Sequence, residues 1–74
     1  MPGAPFGRDP VTLQYRPYQD GDKWMWYWVL HPEDGSRALA HGEADNRGGA
    51  AVAARKKARE LNAVINQIDV LKPR

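Results

Sequence analysis

The sequence predicts an α+β fold, a three-stranded antiparallel β-meander packed against one long C-terminal α-helix in the order β-β-β-α. Three observations predict it. Residues 11–16 alternate apolar and polar, Trp24-Met25-Trp26-Tyr27-Trp28-Val29-Leu30 is an unbroken apolar run, and apolar residues recur at steps of three and four from Ala51 to Ile68. A single domain is expected over 11–68, with a flexible Pro/Gly-rich lead-in over 1–10 and a tail over 69–74.

Val11-Thr12-Leu13-Gln14-Tyr15-Arg16 has the period of two that marks a half-buried strand. Pro17 has no amide to give to a ladder, so the strand is expected to end there or to lie at an edge. Asp20-Gly21-Asp22 supplies the turn, because glycine accepts a positive φ that side chains oppose. The second strand, about Lys23 to His31, contains all three tryptophans of the 74-residue chain. Side chains alternate across a pleated backbone, so Trp24, Trp26, Trp28 and Leu30 share one side while Met25, Tyr27 and Val29 share the other. Both sides are apolar, which predicts a central strand with a helix on one face and a cover on the other. The cover is expected to be the lead-in with Phe6, a second copy or a partner.

Pro32-Glu33-Asp34-Gly35 reads as a second turn and Ser36 to Ala44 as a third strand, whose Ala38, Ala40 and Gly42 leave room for neighbouring tryptophans. Asp45 or Asn46 can cap a helix, since a short polar side chain accepts from the free amides of the first turn. Ala51, Ala54, Ala58, Leu61, Ile65 and Ile68 then form one helical stripe, predicting a helix over about 47–67. At roughly 1.5 Å per residue it would be longer than a strand and overhang the sheet. Its far end would then meet a partner or unravel into an extended tail from Ile68.

Charge is unevenly spread. Residues 1–46 carry four basic and seven acidic side chains, a net −3, whereas residues 47–74 carry seven basic ones against Glu60 and Asp69, a net +5. Attraction for phosphates is therefore expected from the second part of the chain. Arg47, Arg55, Lys56, Lys57 and Arg59 lie off the apolar stripe and form the candidate nucleic-acid surface, with Arg16 and Arg37 as possible additions from the sheet. The other reading is a protein interface or homodimer through Met25, Tyr27, Val29 and Ile68, residue types favoured at such contacts.

Other chemistries find little support. The chain has no cysteine, so it forms neither disulfide nor thiolate metal site, and a cytoplasmic protein of bacterial or phage type fits best. No stretch approaches the roughly 18 apolar residues of a membrane span, and residues 1–10 lack a signal-like apolar core, so no membrane role is expected. His31 and His41 lack a recognised metal-ligand spacing, and no metal or other cofactor is expected. Ser36 and Thr12 are the only hydroxyl residues besides the tyrosines, so a nucleophile-base-orienter set is not evident and the chain reads as non-enzymatic. Gly48-Gly49 precedes a helix without the Gly-Lys-Ser/Thr ending of a phosphate loop.

The aromatic strand, Asp-Gly turn and helix after a short polar loop, Asp22 to Ala58, resemble small bacterial YegP-like domains, whose biochemical role is undefined. The same element order is similar to the sheet-plus-helix DNA-binding domains of tyrosine integrases and plant ethylene-response factors. That second resemblance implies major-groove reading by the sheet, with Arg16, Arg37 and one tryptophan in the contacting roles. Asp20, Asp22, Glu33 and Asp34 make the turns here acidic, unlike that pattern.

Overall fold

The computed structural model of the chain describes residues 9–33 and 37–73. It contains β1 (Asp9–Asp20), β2 (Lys23–Pro32), β3 (Ala40–Ala44), α1 (Arg47–Glu60) and β4 (Ala63–Val70). The strands form one mixed sheet in the order β3-β2-β1-β4. β2 is antiparallel to both β1 and β3, and β4 is parallel to β1. The expected Phe6 cover lies in residues 1–8, outside the described residues.

The three-stranded meander with a long C-terminal helix is thus overturned. A fourth strand completes the sheet, and the helix is 14 residues long and lies mid-chain. Leu61 and Asn62, within the stretch expected to be helical, end the helix. Asn62 takes φ 58, a left-handed conformation that asparagine tolerates, while the Leu61 and Asn62 amides donate to the carbonyls of Lys57 and Arg59 at 3.0 and 3.1 Å. At about 1.5 Å per residue α1 is about 21 Å long, close to the length of a strand. The chain therefore turns where the sheet ends.

Topology makes β4 parallel. β1 and β3 both oppose β2 and so run the same way; a helix that runs back across the sheet returns the chain to the end where they start. Val64, Ile65, Ile68 and Val70 are β-branched, which suits an extended backbone better than a helix.

The β1–β2 turn forms where expected. Gly21 has φ 64, and Asp20 pairs with Lys23 across it. Pro17, however, does not stop β1, which continues to Asp20. The Leu71 amide donates to the Tyr15 carbonyl at 2.7 Å, so Tyr15 and, two residues on, Pro17 turn their backbone groups toward the β4 side. β4 has ended by then, and no ladder bond is lost. β3 is shorter than expected and begins at Ala40.

One face of the sheet carries the core. Val11, Leu13, Tyr15, Trp28 and Leu30 are buried beneath Ala50, Ala54 and Ala58 of α1. Among the expected stripe residues, Ala54 and Ala58 are buried, Ala50 joins them one turn earlier, and Leu61 is exposed because the helix has already ended. The Asn46 side chain caps α1 by accepting from the Gly49 amide at 2.7 Å. Along β2 the tryptophans leave the core stepwise: Trp28 is buried, Trp26 is half-buried and edge-on to Tyr15 at 6.3 Å, and Trp24 is 52% exposed.

The Trp28 indole lies against Gly42, which is its partner on β3. A Cβ at position 42 would come within 2.7 Å of Trp28 Cζ2. Gly42→Ala is expected to cost about 1–3 kcal/mol, the usual range for overfilling a packed core, and the urea unfolding midpoint reads it. An unchanged midpoint would show that the ring can shift without loss.

Candidate functional site

The helix segregates the sequence's cations. Ala50, Ala54 and Ala58 face the sheet, so residues 55, 56 and 59 point away from its centre and are exposed. Arg47, in the first turn, places its guanidinium carbon 5.6 Å from the Tyr15 ring centroid, a cation-π contact that ties it to the core. Lys57 Nζ is 3.3 Å from Glu60 Oε1. Arg55, Lys56 and Arg59 are left without an ion pair among the described residues.

Arg55 and Arg59 flank an open groove of about 630 Å³ between α1 and β4. Its floor and far wall come from Ala58, Ala63 and Ile65; Asn62, Asn66 and Gln67 also line it, the Asn66 side-chain amide donating to Glu33 Oε2 at 2.9 Å and that of Gln67 to Asp69 Oδ1 at 3.0 Å. Lys57 and Arg59 in the last turn also oppose the electronegative carbonyl end of the helix. The groove therefore sets two cations beside an apolar floor.

The remaining candidates lie elsewhere. Arg16 is on the sheet face opposite the helix, paired across from Tyr27, and donates to the Lys72 carbonyl at 3.0 Å. Arg37 is exposed in the connection before β3. Neither joins the helix cations. Met25, Tyr27 and Val29 do share the open face, as their alternation predicts, but β1 and β3 intersperse them with Thr12, Gln14, Arg16, His41 and Glu43. The result is a half-buried mixed surface instead of a continuous apolar one. Ile68, expected at the frayed end of a helix, is 45% exposed on β4.

The open face has its own small constellation. Tyr27 and His41 rings lie 5.8 Å apart with planes inclined by 33°. Arg16, Tyr18, Gln19, Tyr27 and Glu43 line a second hollow. Partial burial, then the hydrogen bond and charge of Glu43, then the charge of Asp20 push the Tyr18 phenol above its usual 10.0. His31 and His41 share this face, and no group of three or more metal-ligating side chains forms among the described residues.

Sequence reasoning missed Asn62, Asn66 and Gln67 as groove residues because it assigned them to the helix, where they would have faced in different directions. The signal was the asparagine after Leu61, a residue suited to a left-handed helix stop. No described helix is long and apolar enough to cross a membrane. No family model, curated protein or solved structure matches the chain.

Replacing Glu43 with glutamine removes a negative charge beside Tyr18, so Glu43→Gln is expected to lower the Tyr18 pKa toward 10.0. An NMR titration of the tyrosine ring signals checks this. An unmoved Tyr18 would mean that Glu43 is not its neighbour in solution.

Proposed function

We propose that the chain is a small non-enzymatic binding module that holds nucleic acid by its phosphates along the α1–β4 groove, using Arg55 and Arg59 at the groove and Lys56 on the adjoining outer surface of the helix. The observation that supports this most is the groove itself, where Arg55 and Arg59 flank an apolar floor of Ala58, Ala63 and Ile65. Guanidinium groups suit phosphate oxygens. The net +5 over residues 47–74 favours the same end of the chain. A cytoplasmic setting of bacterial or phage type belongs to this reading, supported by the absence of cysteine.

The sheet-reading mode implied by the integrase-like resemblance has less support. Arg16 is engaged with the Lys72 carbonyl, Arg37 lies outside the sheet, and the exposed carboxylate of Glu43 sits on the face that would meet phosphate.

Fluorescence anisotropy of labelled duplex and single-stranded oligonucleotides tests the proposal. Three phosphate contacts predict that affinity falls about 40-fold for duplex, or about 20-fold for single strands, between roughly 50 and 200 mM salt. Arg55→Glu with Arg59→Glu should remove most of the binding and flatten the salt dependence, whereas Lys23→Glu at the distant hairpin turn should have little effect. Equal binding by both variants, or no saturable binding at the lower salt, would overturn the reading.

A further inference from the structure

β4 is an edge strand whose outer side is not covered by any described strand. It is eight residues long and contains neither lysine nor proline, two of the usual guards against pairing; its one charged residue, Asp69, is half-buried. The opposite edge, β3, is five residues long and carries His41 and Glu43. Large apolar side chains are also exposed along this edge: Leu61, Val64, Ile68 and Val70 are 38–50% accessible.

The backbone shows which groups face outward. Leu71 donates inward to Tyr15, so by alternation Val70 and Ile68 direct their amides and carbonyls away from the sheet. β1 partners Asp9, Val11, Leu13 and Tyr15 oppose Ala63, Ile65, Ile68 and Val70, the step of three coming from a bulge at Asn66. The outward set is therefore Ala63, Ile65, Ile68 and Val70. A twofold axis between Asn66 and Gln67 maps this set onto itself, placing Ala63 opposite Val70 and Ile65 opposite Ile68.

We propose that β4 pairs antiparallel with β4 of a second copy about that axis, joining two sheets into one. The bulge favours a second copy over an unrelated strand. A straight partner falls out of step by one residue at Asn66, as β1 does, whereas in the twofold pair bulge meets bulge and both sides advance equally. Side chains agree. The four outward residues point to the helix side, like their partners Val11, Leu13 and Tyr15, so each cross-strand pair on that side is apolar. On the other side Val64 meets Asp69, and no like charges are opposed.

An axis perpendicular to the sheet keeps both helices on one side and brings the two α1–β4 grooves together, so Arg55 and Arg59 of each copy flank one wider cationic channel. Only this last consequence rests on the nucleic-acid reading.

Sedimentation equilibrium in nucleic-acid-free buffer, with the full chain, tests the dimer. The interface is small beside the roughly 1,600 Å² of a standard one, which predicts dissociation in about the micromolar range. The apparent mass should rise with concentration from 8.3 kDa toward twice that value. Ile68→Lys should weaken association about tenfold or more, since the Ile65–Ile68 pair occurs twice in the dimer. Val52→Lys, 69% exposed on the helix, should leave it unchanged. If circular dichroism shows that Ile68→Lys does not fold, Val70→Lys takes its place. Backbone hydrogen exchange gives a second readout, with the Ile68 and Val70 amides slowing as concentration rises. A monomer up to nearly millimolar concentration, equal association of the edge and helix variants, or exchange independent of concentration would overturn the proposal. None of these outcomes bears on the oligonucleotide titration, so the two readings fail separately.

Discussion

The close approach of α1 to the sheet governs the rest of this structure. A 14-residue helix touches all four strands, and it reaches them because Ala50, Ala54 and Ala58 present only methyl groups along its inner side. The bulk comes from below, from Leu13, Leu30, Tyr15 and Trp28. Large residues on the sheet are thereby met by small ones on the helix, the complementarity that dense interiors require. Gly42 serves the same end within the sheet, since the Trp28 indole occupies the space of its missing side chain. The Trp28 ring nitrogen has no hydrogen-bond partner among the described residues. An unmet buried donor costs about 1–3 kcal/mol, offset here by the burial of a large ring.

That packing distributes polarity over the surface. The helix spends its small residues on the core and turns Arg55, Lys56 and Arg59 outward, so the cations collect on the helix side of the molecule. The opposite sheet face is mixed in character because β1 and β3 contribute polar side chains between Met25, Tyr27 and Val29. Among the described residues, Arg55 and Arg59 come together with exposed aliphatic side chains where the helix lies beside β4. That is also where the sheet remains open.

The alternation over residues 11–16 and the aromatic run specify β1 and β2, and their faces follow directly from the parity of side chains. Gly21 and Asn46 act in the turn and the cap to which their chemistry suits them. The stretch from Leu61 to Val70 was ambiguous, because aliphatic residues at steps of three and four fit a helix while their branching fits a strand. Periodicity and propensity conflicted, and tertiary structure favoured propensity. Of the candidate cations, the sequence could group those on one helix, but not tell that Arg47 lies over Tyr15 or that Arg16 turns toward Lys72.

By itself, then, the sequence determined what is set by near neighbours in the chain: the hairpin, the apolar face of β2, the start of the helix and the basic character of its outer side. These depend on alternation, turn chemistry and capping, which act over a few residues. Only the tertiary structure decided where the helix stops, that the chain returns as a parallel edge strand, and which polar groups stand beside Arg55 and Arg59. The physical reason is length. A helix packed across a sheet is useful only as far as the sheet extends, and a parallel partner for β1 exists only after the chain has been carried back by a crossover that contacts every strand.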